Sequence, residues 1–506
     1  MKIRTDVAVV GGGLAGLSLA RQLRSAMPDI DVTVIDRARR PAVEKTSTVG
    51  ESFAELGSHY LREVVGLGDH LDGEQLPKFG LRFFVGDAWD MGERFELGVL
   101  DPIICELEDN RLVGLPLRTH QVDRARLENE LATLCVGDGV RLVEGSSVRS
   151  ADVDPTGHRL HVSGDAEGVV ECRWAVGAAG HPVPGLEPPH RPLGHRLRAA
   201  WFRAEGHLDV GSWSTLTDFH RRTPPGFRRL STNHLMGSGF WIWIIPLPSG
   251  VTSVGVVADR DAVSDFHPNG YDDLLTWIEG RDPRLYHELQ GTSPVDGDFH
   301  VADADAFVAR SFDERRLAVV GGAACFVDVL YSPGADLIAL GNTLLVDLVR
   351  RDLEDGRIAG ACAAANRIFE GFADGLGEIY RGQYPNFDRP EIVGAKAVWD
   401  SALYFGFNTL LFRHGLSTDL RFLSSIQPEL LTLRALQARV QSRLRDGRIT
   451  PIMPGGDATV EWGHVGWLMD AYYGARTQPD DWAVVSHLRS VLASLEGVAR
   501  RLEGRS

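Results

Sequence analysis

The chain has 506 residues, with 53 Lys+Arg against 69 Asp+Glu, a formal charge of −16, 43% apolar residues and 24% charged ones. That composition belongs to a soluble globular chain of about three domains' length and excludes global disorder. The acidic balance argues against a general nucleic-acid binder, because phosphate contacts rest on Lys and Arg. No run reaches the roughly 18 consecutive apolar residues of a membrane span. The opening Met1-Lys2-Ile3-Arg4-Thr5-Asp6 enters a strand pattern without an export signal, so a cytoplasmic location is expected.

In chain order, Asp6-Val7-Ala8-Val9-Val10 reads as a buried strand ending in glycine. Leu14, Leu17, Leu19 and Leu23 mark a helix from Leu14 to about Ala26, closed by Pro28. Asp31 to Asp36 is a second strand, so the three elements predict a right-handed βαβ unit with parallel strands. Residues 80–300 are richer in strand patterns and turns, with Pro182, Pro184, Pro188, Pro189 and Pro192 marking a connection. Residues 315–335 return to an apolar strand and a glycine-containing turn. Helical periodicity dominates from 396 to 506, where Val484, Leu488, Val491, Leu492, Leu495, Val498 and Leu502 trace one face.

The five cysteines, Cys105, Cys135, Cys172, Cys325 and Cys362, are widely spaced and odd in number, which fits a reducing compartment. No H-E-x-x-H or paired Cys/His spacing occurs. His181, His190 and His195 share a proline-rich stretch and read as solvated loop histidines, so no metal is expected.

Gly11-Gly12-Gly13-Leu14-Ala15-Gly16 carries G-x-G-x-x-G between a strand and a helix, and Asp36 follows twenty residues after Gly16. Gly11 allows the tight turn, Gly13 lets a pyrophosphate approach the backbone, and Gly16 lets helix and strand pack closely. The helix N-terminus at Leu14 and Ala15 offers N–H groups and a positive dipole end, and Asp36 can accept hydrogen bonds from a ribose. The pattern predicts a dinucleotide cofactor, FAD or NAD, and by itself does not choose between them.

Four further segments complete an ordered set: Val49-Gly50-Glu51-Ser52, Pro77-Lys78-Phe79-Gly80, Trp241-Ile242-Trp243-Ile244-Ile245-Pro246, and Phe326 through Gly334. With the fingerprint, this set resembles the flavin-dependent halogenases over roughly residues 1–345, and the W-x-W-x-I-P string is its most specific part. The resemblance implies FAD rather than NAD. It also implies an α/β fold of the aromatic-ring flavin monooxygenase group: a Rossmann-type FAD-binding domain, an interleaved β-sheet substrate domain and a C-terminal helical region. The expected organisation is one FAD-binding module over 1–395, with FAD parts near 1–80, 105–185 and 305–350 and a substrate sheet near 80–105 and 190–300, followed by the helical region 396–506.

Read from the residues alone, Trp241, Trp243 and Ile245 face one side of a strand and Ile242 and Ile244 the other. Both sides are apolar, so the strand is buried, and Pro246 ends it. By resemblance the two tryptophans keep the organic substrate away from the flavin. Lys78 sits in an apolar context, Pro77 to Phe84, that favours partial desolvation and a lowered pKa; by resemblance it is the catalytic lysine that receives hypohalous acid. Glu51 and Ser52 suit a flavin-site or gating contact, although Ser52 also suits a plain helix cap. Arg124 stands where the family has an arginine near the FAD. Gly321 and Gly322 occupy the second flavin motif, with Gly322 where an aspartate is usual, and Gly177 replaces another. Ser332 and Gly334 fall in the halide turn, in which Val329 replaces a proline and Pro333 lacks an N–H donor. Tyr331 stands where tryptophan halogenases have a catalytic glutamate, which favours phenol- or pyrrole-type rings.

The implied function is chlorination or bromination of an electron-rich aromatic ring in natural-product (antibiotic) biosynthesis, with O2 and chloride or bromide as co-substrates. No second dinucleotide fingerprint is present, so a separate flavin reductase is expected to supply FADH2. The aromatic substrate is free or tethered to a carrier protein. A monooxygenase or oxidase of the same fold, favoured by Pro333, and a non-catalytic flavoprotein, favoured by the missing aspartates, are the alternatives.

Overall fold

The computed structural model describes residues 1–42, 49–99, 106–108, 111–113, 118–154, 156–180, 183–452, 459–461, 468, 470–471, 474 and 481–505. Cys105, His181 and Pro182 lie outside the described residues.

The βαβ unit forms as the pattern predicts: strand Lys2–Val10, helix Leu14–Ala26 and strand Val32–Ile35. Lys2–Val10 pairs in parallel with Val32–Ile35 on one side and Gly168–Gly177 on the other. Val7 and Val9 enter the main core with the helix, while Ala8 and Val10 enter a smaller core on the opposite face. Covering on both faces is what a parallel strand needs, and it explains the unbroken apolar run. Among the described residues this sheet has eight strands, including Arg141–Val143 beside Val32–Ile35 and Leu317–Val319 beside Gly168–Gly177.

The second sheet has nine strands among the described residues and is mixed. Its centre is strand Phe240–Pro246, buried along its whole length between Thr232–Gly237 and Val251–Asp259. Trp241, Trp243 and Ile245 enter the main core, and Phe240, Ile242 and Ile244 the opposite one, the period-2 split read from the sequence. Both long edge-side strands, His190–Glu205 and Pro294–Ala309, pair antiparallel.

Two connections set the site. Leu317–Val319 belongs to the first sheet and Cys325–Phe326 to the second, pairing with Phe307 and Val308. The turn that follows therefore lies where the two sheets meet, just before helix Gly334–Glu354. The tail then packs helices Ala359–Tyr380, Pro390–Leu403, Gln427–Arg445 and Asp481–Leu502. The apolar face from Val484 to Leu502 is buried, and Val491 sits over Gly406, where a Cβ would stand 2.5 Å from its Cγ1. The tail is not wholly helical: Thr459–Glu461 adds a parallel strand beside Phe95–Val99. Among the described residues no helix is long and apolar enough to cross a membrane.

Candidate functional site

The fingerprint glycines build the floor of a cleft. Gly11 has φ +116°, and a Cβ there would stand 2.6 Å from the Ala179 nitrogen. A Cβ on Gly16 would stand 1.9 Å from the Gly11 carbonyl oxygen. Only glycine fits either place. Gly13 is open by contrast, its nearest neighbour being Glu128 Oε1 at 3.9 Å. The Leu14 N–H, first in the helix, donates to that same Glu128 oxygen at 3.2 Å. Arg124 holds Glu128 at 2.5 Å and donates to the Val49 carbonyl at 2.8 Å. At the end of the second strand, Asp36 accepts from the Ala38 N–H and pairs with Arg40, each at 3.2 Å.

Gly11, Gly13, Leu14, Ala15, Asp36, Arg124 and Glu128 line one cavity of about 720 Å³, which continues past Glu51, Ser52, Gly321 and Gly322 to Trp241, Trp243, Ser332 and Gly334; Gly16 packs behind Gly11 and does not line it. Gly321, at φ +62°, lets its turn approach the fingerprint helix so closely that a Cβ would meet Ala15 Cβ at 2.6 Å. An elongated, glycine-floored cavity with a helix N-terminus at its middle and a carboxylate at one end fits a dinucleotide. Glu51 is buried beneath it and pairs with Arg203 at 2.7 Å. Burial raises the Glu51 pKa, and the Arg203 charge opposes that rise. Ser52 does not cap a helix: Ala54 holds that position, and the Ser52 hydroxyl bonds to the Thr232 hydroxyl at 2.9 Å.

The turn after Phe326 is held by Asp328, whose Oδ1 accepts from the N–H groups of Val329 at 2.6 Å and Leu330 at 2.8 Å. Tyr331 and Ser332 adopt φ of 66° and 60°, a left-handed conformation that costs a non-glycine residue on the order of 1 kcal/mol or more. The Ser332 N–H is engaged by the Val329 carbonyl at 3.1 Å. Pro333 then precedes the helix that Gly334 opens, so Gly334 stands at the positive end of 21 aligned residues. The rest of Asp328 is used as well: His195 bonds to it at 2.7 Å and the Tyr384 hydroxyl donates to it at 3.0 Å. Tyr384 in turn accepts the Trp241 indole N–H at 2.7 Å. Trp243 donates to the Ser253 hydroxyl at 3.0 Å and lies over Gly255, where a Cβ would come within 2.1 Å of its ring.

Lys78 lies on the far side of that turn. It ends strand Leu76–Lys78, which pairs with Thr119–Gln121, and its side chain is 3% exposed. Its Nζ donates to the Phe53 carbonyl at 2.9 Å. It faces a separate pocket of about 80 Å³ lined also by Glu55, Asp336, Tyr331, Tyr404 and Asp400. Burial lowers the Lys78 pKa to about 8, against the pull of Glu55 and Asp336. Burial raises Asp336 to about 8 although the Gly57 N–H donates to it at 2.8 Å, and burial raises Glu55 too. Pro333 lines both the cleft and this pocket. The cleft with its two tryptophans and the pocket with its lysine thus share one wall.

A family profile described as lycopene cyclase protein matches residues 6–196. Among curated proteins, the flavin-dependent halogenase chlA of Dictyostelium discoideum is 25% identical over 380 residues, covering 69% of this chain and 60% of that relative. A chlorinase of carrier-protein-bound 1H-pyrrole-2-carbonyl from Pseudomonas fluorescens is 23% identical, covering 66% and 72%. The chain is similar to flavin-dependent halogenases over about two thirds of its length. A crystal structure of halogenase PltM with phloroglucinol and FAD has the same fold, with a TM-score of 0.68 at 15% identity, covering 98% of this chain and 96% of that one. The chain spans about three fifths of the length of the first curated relatives it matches, 60% and 62%.

Sequence reasoning missed several residues of the candidate site. Glu128 was accessible, since it stands four residues after Arg124 on one helix. Glu55, Asp336 and Tyr384 carry no local motif, and Asp328 falls at an unassigned position within the Phe326–Gly334 segment.

Proposed function

We propose that this protein is an FADH2-dependent halogenase that chlorinates or brominates an electron-rich aromatic ring of phenol or pyrrole type. One observation carries the reading: Lys78 is buried in a pocket of its own, walled off by Pro333 from the cleft that holds Trp241 and Trp243. In this reading an oxidant made in the cleft crosses the shared wall at Pro333 to reach Lys78, which presents it to a ring held in the pocket. A direct oxygen transferase needs its substrate in the cofactor cleft itself.

In this reading Gly11, Gly13, Leu14 and Ala15 receive the cofactor's pyrophosphate, with Gly16 packed behind Gly11; Asp36 receives a ribose, and Arg124, Glu51, Ser52, Gly321 and Gly322 line the cofactor's path. Bound FADH2, with O2, supplies the two-electron oxidant that converts chloride or bromide to hypohalous acid. The Gly334 N–H at the helix start holds the halide beside Ser332. Lys78 receives the halogen and presents it to the ring. Glu55 and Asp336 stand in the same pocket to take the ring proton that the halogen replaces. Partly buried Tyr331 and Tyr404 line the pocket and help exclude water, which would otherwise destroy the oxidant. The reductant comes from a partner flavin reductase. The carrier-protein substrate of the Pseudomonas relative supports a tethered ring as an alternative to a free one.

The test is mass spectrometry of products formed with a flavin reductase, O2 and bromide from a panel of phenols and pyrroles. A bromine isotope doublet that is absent without bromide is the expected result. Pro333 and the engaged Ser332 N–H favour a second reading, an FAD monooxygenase of the same fold. Oxygenated product formed equally well without halide would establish it.

A further inference from the structure

The pocket beside Lys78 holds about 80 Å³. A cavity that binds a benzene ring measures about 150 Å³. The pocket therefore admits the reacting edge of one ring, and the rest of any substrate lies elsewhere. Leu376, Ile379, Leu403 and Asn408 line the pocket, and the same four residues line a groove of about 1070 Å³. The groove runs between helix Ala359–Tyr380 and the tail helices Leu420–Ser425 and Gln427–Arg445.

Two further observations describe what the groove takes. Gly371 and Gly375 lie one turn apart on helix Ala359–Tyr380, and both line the groove. Nothing stands within 4 Å of a Cβ built on either. Packing does not require glycine there, and each interior glycine costs a helix about 0.5–1 kcal/mol relative to alanine. Their effect is a bare strip of backbone along the groove floor. At the mouth, Leu420 and Leu431 are 39% and 61% exposed, an uncovered apolar rim. Four arginines line the groove against two carboxylates: Arg191 and Arg434 share Asp374, Arg381 pairs with Glu378, and Arg367 is exposed at the surface, so the charge stands at the rim with the apolar residues between.

We infer that this groove is a substrate subsite that binds an uncharged hydrocarbon extension of the aromatic substrate, an alkyl or acyl chain, while the ring edge reaches Lys78. The inference rests on the proposed halogenase reading for the role of Lys78, but it names a binding site that can be measured without turnover. The four shared residues set the groove directly against the pocket, and the inference requires one molecule to span both. The apolar lining rewards each buried methylene.

The test is titration calorimetry of the full chain with resorcinol and with 4-hexylresorcinol. The expected result is at least about tenfold tighter binding of the hexyl compound, and a fall of that preference below about threefold in Gly375→Trp, whose indole fills the groove. Equal affinity for the two phenols, no binding of either, or an undiminished preference in Gly375→Trp overturns the inference. If Gly375→Trp does not fold, as judged by its melting curve, Gly371→Leu is held to the same criterion. Bromination assays on both phenols separate the two readings. Brominated product without chain preference removes the groove and keeps the halogenase. Chain-selective binding with no brominated product in any assay keeps the groove and removes the halogenase.

Discussion

The indole N–H of Trp241 donates to the Tyr384 hydroxyl across 2.7 Å, joining the central strand of the second sheet to the start of the helical tail. Tyr384 passes its own proton to Asp328, which holds the turn before Pro333. One chain of hydrogen bonds thus fixes both the aromatic wall and the turn it faces. Tyr384→Phe leaves the buried indole N–H without an acceptor and removes a donor from a buried carboxylate. Each unmet buried group costs about 1–3 kcal/mol. The expected outcome is a lower melting temperature and a fall in halogenated product, with FAD affinity kept. Unchanged stability in a thermal melt would show that the chain is not structural.

Lys78→Met removes a buried amine and its bond to the Phe53 carbonyl while filling a similar volume. Halogenation is expected to fall below detection, and FAD content, read from flavin absorbance, to stay near the native level, because Lys78 lies outside the cofactor cleft. Product formation at more than a tenth of the native rate would remove Lys78 from the relay.

His234 is sealed between Phe83, stacked at 4.6 Å, and Trp241, at 5.3 Å. Burial first and the Lys78 charge after it lower its pKa from 6.5 to about 3, although its hydrogen bond to the Arg82 carbonyl opposes the fall. A depressed folded pKa means that the unfolded chain binds the proton more readily. The stability from neutral His234 is complete above pH 6.5 and is lost as pH falls through about 3. Urea melts between pH 7 and 4 are expected to show the native protein weakening faster with acid than His234→Gln. Parallel slopes for the two proteins would contradict this.

The cradle gives a paired prediction. Gly16→Ala forces a Cβ to within 1.9 Å of the Gly11 carbonyl and is expected to abolish flavin retention. Gly497→Ala meets only the flexible end of Arg500, at 3.9 Å, on helix Asp481–Leu502. It is expected to raise stability by about 0.5–1 kcal/mol. Flavin retained in the first variant would show that the helix can shift at no cost.

What the sequence revealed was local. The fingerprint, the Trp241–Trp243 alternation and the apolar setting of Lys78 each fit within a few consecutive residues, and their backbone periods appear directly in the structure. What it hid was assembled at long range. Glu51 meets Arg203 across 152 positions, His195 meets Asp328 across 133, and the Gly57 N–H meets Asp336 across 279. His195 shows the difficulty: a proline-rich neighbourhood reads as a solvated loop, yet the residue lies within strand His190–Glu205 and is buried against Asp328. Gly322 and Pro333 departed from the expected motifs, and their consequence depends on which backbone donors remain, a matter of dihedral angles that composition does not encode.

Pro333 is the position where those donors can be tested. Val329, Leu330 and Ser332 have their N–H groups engaged within the turn, by Asp328 and by the Val329 carbonyl. Pro333 has none, so the donors that remain for an anion are the Tyr331 N–H and the start of the helix at Gly334. Its φ of −71° and ψ of −9° lie in a region that serine adopts without strain. Pro333→Ser therefore restores one N–H beside Gly334 and leaves the helix in place. If halide is bound at this turn, the bromide KM is expected to fall by about threefold to tenfold, the range of one added hydrogen bond to an anion, while kcat moves less. Steady-state rates over a bromide series measure both. A KM identical to that of the native protein would place the halide away from this turn.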